Sequence, residues 1–227
     1  MDIEDKLRSA ELTVVGRLVD ASNATILCEI EPGIQVIYKP IAGERPLWDF
    51  PDGDLASREV AAYYISQIGK FHLVPLTILR SGPYGDGSVQ LWIDSPEDFD
   101  AVELGQSDHP QLRQMALFDA VINNTDRKFG HLIVDAQGSI FGCDHGVTFH
   151  AEDKLRTVLW RWSGDSLSIQ EIDQLEALRE SIDDDYLSTL ISLDEIAALR
   201  LRIERLLTEK RMPQPSDEWP AVPWPPY

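Results

Sequence analysis

The sequence predicts an α+β fold in two lobes: a small N-terminal lobe built on an antiparallel sheet, then a mainly helical C-terminal lobe. Three observations lead there. Short strand-like apolar segments crowd the first 94 residues. Apolar stripes of helical period dominate after residue 110. Between them lies the acidic linker SPEDFDAVELGQSD. The expected divisions are residues 1–94, with a five-stranded sheet and one helix, residues 95–211, and a proline-rich tail over 212–227.

In chain order, residues 12–18 are rich in Val and Leu and read as a strand, followed by a turn over 19–24 and a second strand over 25–30. Glu31-Pro32-Gly33 makes a tight turn, and the third strand, residues 34–39, halts at Pro40. A polar insertion over 40–57 holds Trp48 and Phe50. SREVAAYYISQIG then reads as a helix capped by Ser57 and stopped at Gly69, with Val60, Tyr63, Tyr64 and Ile68 as its apolar stripe. Two further strands, 74–79 and 88–93, flank the turn GPYGDG. Leu112, Met115, Phe118 and Ile122 set the buried face of a helix over 110–123. The loop NNTDRKFG follows, then a hairpin with strands 131–134 and 139–143. Helices are expected over 169–182 and 193–207. Six prolines forbid a helix in the tail, which is expected to lie extended along the surface.

The 227 residues are 43% hydrophobic with 6 Trp and 7 Phe, enough for a sizeable core. A net charge of −19, from 20 basic and 39 acidic residues, speaks against nucleic acid as a partner. It also disfavours stable association with an anionic membrane, since no run of lysines offsets it. The charged start MDIEDKLRSAEL lacks an apolar signal core, and no stretch reaches 18 apolar residues. Cys28 and Cys143 have no metal-type spacing, so a reducing, cytoplasmic setting is expected.

The chemistry concentrates in residues 117–147. Asp126, Lys128, His131 and Asp144 stand at intervals along a helix end, a loop and a hairpin. Phosphoryl transfer from ATP needs a carboxylate to orient the attacking hydroxyl, a cation near the γ-phosphate and ligands for a divalent metal. In protein kinases the catalytic aspartate is followed five residues later by a metal-binding asparagine, and a D-x-G motif supplies the metal aspartate. Here Asp126 comes first, Lys128 two residues on, His131 in the fifth place, and Asp144-His145-Gly146 after the hairpin. Upstream, Lys39 closes a strand and Glu59 lies in the first turn of the next helix, the order of the lysine–glutamate pair that holds ATP phosphates. The turn carrying Ser22 and Asn23 offers backbone N–H groups to phosphate. Trp92 reads as packing rather than stacking.

The stretches SREVAAYYIS, GSVQLWIDSPEDF, NNTDRKFGHLIV, CDHGVTFH and LRTVLWRW resemble the catalytic region of the phosphatidylinositol 3-/4-kinase superfamily, most closely the type II phosphatidylinositol 4-kinases. NNTDRK also resembles the catalytic loop of HipA-type serine kinases. The whole chain resembles a family of small bacterial proteins, chiefly actinobacterial, that carry only this kinase-like core. The resemblance implies a two-lobed protein-kinase-like fold using ATP with Mg²⁺ or Mn²⁺. It implies Lys39 on the phosphates, Glu59 orienting it, and the strand with Gln90, Trp92 and Ile93 beside adenine. Asp126 becomes the catalytic aspartate and Asp144 a metal ligand. His131 replaces the asparagine of those families; imidazole suits Mn²⁺ better than Mg²⁺. The type II lipid kinases' cysteine cluster is missing, so the expected acceptor is a hydroxyl of a protein or small molecule rather than a lipid. A nucleotide-binding pseudokinase acting as a docking module, a phosphatidylinositol kinase, an AMP transferase and a zinc hydrolase on Cys143, His145 and His150 beside Asp144 and His131 stand as alternatives.

Overall fold

The computed structural model describes residues 2–18 and 23–227. Five strands, β1 (Thr13–Arg17), β2 (Ile26–Glu31), β3 (Ile34–Pro40), β4 (Thr77–Gly82) and β5 (Gly85–Leu91), form one antiparallel sheet in the order β1-β2-β3-β5-β4. Period-2 alternation turns Ile26, Cys28 and Ile30 of β2 inward, where Val36, Tyr38, Ile78 and Val89 meet them. Against Pro40 in the β3–β5 register stands Gly87, and a Cβ there would collide with the Lys39 carbonyl. Glycine thus lets β5 close on the strand end that carries Lys39.

A short helix that the sequence reading missed, α1 (Ile3–Ser9), closes this small core with Leu7. Asp2 caps its start, and Arg80 from β4 donates to the carbonyls of Leu7 and Ala10 at its end. Only Leu7 is buried in α1, which leaves no apolar stripe to reveal it. Among the described residues ahead of 94 there are therefore two α-helices, not one.

The second helix, α2 (Leu55–Ile68), starts three residues earlier than expected, its cap being Asp54 rather than Ser57. The Asp54 carboxylate accepts from Ser57 N at 2.6 Å, while Glu44 accepts from Leu55 N and Ala56 N at 2.9 Å each. Three of the four open N–H groups are thereby satisfied. Ser57 is buried inside the helix and caps nothing, and Glu59 sits in the second turn rather than the first.

Val60, Ala61, Ala62 and Ile65 of α2 join the larger core rather than the sheet's own. That core is built by α4 (Pro110–Ile122), α5 (Ile169–Ser181) and α7 (Leu193–Glu209), counting α3 (Ala101–Gly105) inside the expected linker and α6 (Asp184–Leu187) between the last two. Ser168–Glu171 and Ser192–Glu195 capping boxes start α5 and α7. Arg58 of α2, nearly fully buried, bolts the layers together by donating to Thr148 O at 2.9 Å and to the Glu195 carboxylate of α7.

The short hairpin of β6 (Leu132–Val134) and β7 (Ile140–Gly142) lies at the end of the loop after α4. The tail carries no helix or strand beyond residue 212 and is tied down by its carbonyls. Ala221 O accepts from Thr157 N at 3.1 Å and from the Trp160 indole at 2.7 Å, and Pro226 O accepts from Phe129 N at 2.9 Å. Among the described residues no helix is long and apolar enough to cross a membrane.

Candidate active site

Lys39 leaves the end of β3 and reaches two carboxylates at once. Its Nζ bonds the Glu59 carboxylate and lies 2.9 Å from Asp144 Oδ1. Burial pulls the ammonium toward neutrality, but Asp144 and Glu59 outweigh it and lift its pKa above the ordinary lysine range. The Lys39 cation in turn holds Asp144 well below the usual carboxylate range, against the opposing effect of burial.

Glu59 is only 3% exposed in its side chain and also accepts from His145 N at 3.0 Å. One carboxylate from α2 therefore orders both the strand lysine and the backbone of the Asp144-His145-Gly146 turn. Asp144 itself has φ +58°, a left-handed conformation that aspartate tolerates better than most residues.

Behind the turn lies a fully buried pair that the sequence reading missed. Arg127 grips Asp119 of α4 through Nε and Nη2 at 2.9–3.2 Å, both side chains having no exposure. Its remaining donors reach Cys143 O at 3.1 Å and His145 Nε2 at 2.8 Å. Because a guanidinium only donates, His145 Nε2 accepts and its proton resides on Nδ1, which faces Glu59 Oε2 at 3.8 Å. Burial, with Arg127 beside it, keeps His145 neutral. The signal for this pair was a lone aspartate in the apolar run MALFDAVI, eight residues before an arginine.

Asp126 is positioned by the same loop. Asn124 accepts from Asp126 N at 3.0 Å and itself donates to Asp119, so the loop aspartate is referenced to α4. Lys128 Nζ lies 3.1 Å from Asp126 Oδ2. Burial raises the Asp126 pKa, with Lys128 pulling the other way.

His131 ends a 3₁₀ turn with Nε2 at 3.5 Å from Asp144 Oδ2. Burial pushes its pKa down to about 4, so it presents a neutral imidazole. Asp144 Oδ2, not bonded by Lys39, and this imidazole make an N/O donor pair for a divalent cation, Mn²⁺ better than Mg²⁺, once the ring proton moves from Nε2 to Nδ1, which here accepts from Lys128 N at 3.5 Å. They are two ligands only: among the described residues no group of three or more His, Cys, Asp or Glu side chains is arranged to hold a metal. The zinc-hydrolase alternative falls with that. His150 is taken up by Lys154 and Glu152 N, and burial pushes the Cys143 thiol up to about 12, far from a zinc-binding thiolate.

Lys39, Glu59, Asp126, Asp144 and Asn23 line one cleft of about 520 Å³. Asn23 Oδ1 accepts from Arg45 N at 2.9 Å; Ser22 lies outside the described residues. Gln90, Trp92 and Ile93 do not line this cleft. The Gln90 amide is buried in the sheet and donates to Thr77 Oγ1 at 2.8 Å, and the Trp92 indole donates to Asp94 at 2.6 Å. β5 ends at Leu91, so Trp92 and Ile93 follow the strand rather than belong to it.

Sheet, helices and this strand–helix–loop constellation define a protein with an α+β, protein-kinase-like fold. The chain is similar to the Golgi casein kinase with Mn/ADP bound, with a TM-score of 0.60 at 13% identity over 91% of this chain and 74% of that one. A second structure of the Golgi casein kinase gives a TM-score of 0.54 at 12% identity, over 91% and 73% of the two chains. At such identities the likeness concerns the fold. No family model matches the sequence. The chain is 40% identical over 262 residues to Protein Rv2133c of Mycobacterium tuberculosis, covering 97% of this chain and 94% of that protein, and it belongs to the same family.

Proposed function

We propose that this chain is an ATP-dependent kinase that transfers the γ-phosphate to a hydroxyl of an acceptor. The observation that carries the reading is the convergence, on one cleft, of a strand lysine, its helix glutamate and two loop aspartates that lie far apart in sequence. The Mn/ADP-bound relative in fold supports nucleotide and divalent metal as the partners of such a cleft.

In this reading Lys39 binds the phosphates of ATP and Glu59 aims it. Asp126 accepts the acceptor hydroxyl proton, the hydroxyl oxygen forms a bond to the γ-phosphorus, and the bond from that phosphorus to the β–γ bridging oxygen breaks to release ADP. Lys128 keeps Asp126 ionised and faces the same transfer. Asp144 and His131 would hold a divalent metal, which supplies neutralisation of phosphate charge when bound. Asn23 would face the phosphates from the cleft wall, and the segment of Gln90, Trp92 and Ile93, outside the cleft lining, would meet adenine through its backbone where the base extends past the cleft. We place the lobe division at residues 94 and 95, with the tail from 212 as a separate strap.

Incubating the protein with ATP labelled at the γ- or α-phosphate, with Mn²⁺ or Mg²⁺, tests the reading. Label leaving from the γ position supports it. Transfer of α-label makes the protein an AMP transferase, and binding without turnover a pseudokinase.

A further inference from the structure

The cleft holds more positive charge than the four proposed catalytic groups require. Arg45, Lys154 and Arg156 line it together with Lys39, in a chain whose net charge is −19. Its acids are already engaged: Glu44 by the first N–H groups of α2, Glu59 and Asp144 by Lys39, Asp126 by Lys128. Asp49 remains as a lining carboxylate without a hydrogen-bond or ion-pair partner among the described residues.

The two arginines keep donors free, and Lys154, though paired, holds its charge at the cleft wall. Among the described residues the Arg45 guanidinium has no hydrogen-bond or ion-pair partner; only its backbone N–H is used. Arg156 donates Nε to Thr125 O at 2.7 Å and reaches no carboxylate, while its charge acts on Asp126. Lys154 is 5% exposed, a depth at which lysine rarely sits unpaired. It touches His150 Nε2 at 3.1 Å and the solvent-facing Glu152 at 3.3 Å. Its ammonium is walled by two indoles, Trp219 of the tail at 4.6 Å and Trp48 of the insertion at 5.5 Å from the ring centres. Trp48 is 82% exposed at the lip of the same cleft, an indole that no apolar core claims.

Resting on the kinase reading, we propose that Arg45, Lys154 and Arg156, between Trp48 and Trp219, form the acceptor subsite, and that the acceptor is a small hydroxylated molecule carrying its own anionic group, a phosphate or a carboxylate. Guanidinium forks match such oxyanions in geometry as well as charge. The acceptor anion docks there and leaves its hydroxyl at Asp126, whose carboxylate already feels Arg156. The two indoles narrow the approach, which favours a compact acceptor over a folded protein surface.

Calorimetric titration of the full chain without nucleotide tests this independently of turnover, using glycerol 3-phosphate against glycerol, glucose 6-phosphate against glucose, and glycerate against glycerol. The expected result is at least tenfold tighter binding of the anionic member of one pair or more. Arg45 and Trp48 are exposed, so R45Q and W48A fold. R45Q is expected to shrink that preference at least tenfold, and W48A to weaken the anionic member while leaving the preference. Equal binding within every pair, or an unchanged preference in R45Q, overturns the proposal. If R45Q instead weakens ADP binding and spares the anion preference, the arginine serves the nucleotide and the subsite is refuted. Loss of γ-label chemistry in the wild type with the anion preference intact marks failure of the kinase reading, not of the anion site.

Discussion

Lys39 Nζ lies 2.9 Å from Asp144 Oδ1, across 105 residues of sequence, while it also bonds Glu59. The lysine is thus the joint between the sheet, α2 and the turn after β7. Replacing it by Met leaves the Glu59 carboxylate, 3% exposed, without its cation. Removing one partner of a buried ion pair costs about 3–5 kcal/mol. We expect Lys39→Met to lower Tm clearly and to weaken ATP binding, and Lys39→Met/Glu59→Gln to recover part of the Tm but not the binding. Calorimetry and a thermal melt on both variants check this.

Asp126→Asn keeps the size of the side chain and removes the base. The expected loss in turnover is about 10²–10⁴-fold, with nucleotide affinity and Tm retained. Full activity in this variant would refute the role given to Asp126.

The pH profile follows from the same residue. Burial raises the Asp126 pKa above the ordinary 3.8, and a base must be ionised, so activity is present at high pH and is lost as pH falls through that raised value. Lys128 opposes the rise. Lys128→Met therefore moves the acid limb of kcat to higher pH. His131, with its pKa pushed down by burial to about 4, is neutral above that value.

Much of the fold was legible because period and punctuation agree: VIYKP closes a strand, and apolar stripes of helical period mark the helices over 169–182 and 193–207, whose Ser168 and Ser192 capping boxes the sequence reading did not use. The start of α2 was not, because its cap, Asp54, sits in a Pro- and Gly-containing stretch that reads as loop, and its second supporter, Glu44, comes from ten residues upstream. Lys39, Glu59, Asp126 and Asp144 were legible as types at spacings. The Asp119–Arg127–His145 chain was not, since a buried pair is made by the packing of α4 against the hairpin and leaves only a solitary aspartate in an apolar run. Arg45, Lys154 and Arg156 escaped for the same reason: two separate loops, one carrying Arg45 and one carrying Lys154 and Arg156, bring them to one cleft.

That buried chain carries its own prediction. Asp119 and Arg127 have no exposure, and Arg127→Ala strands a carboxylate in the core, at a cost of about 3–5 kcal/mol. Replacing both with apolar residues, Asp119→Leu/Arg127→Met, is expected to be milder than either single change. Denaturant melts of the three variants measure it.

Deleting residues 213–227 removes the carbonyls that receive Phe129 N, Thr157 N and the Trp160 indole. Each buried donor left open costs about 1–3 kcal/mol. Hydrogen exchange is expected to quicken at residues 128–131 and 157–160, with little change in α7; uniform protection in the truncated chain would show that the tail merely rests on the surface.

A crystal structure with a nonhydrolysable ATP analogue and Mn²⁺ addresses the convergence itself. The expected result places the triphosphate in the 520 Å³ cleft, with Lys39 Nζ on a phosphate oxygen, Asp144 and His131 on the metal, and Asp126 facing the γ-phosphate. A nucleotide seated elsewhere, with Lys39 still bonded only to Glu59 and Asp144, would contradict the account.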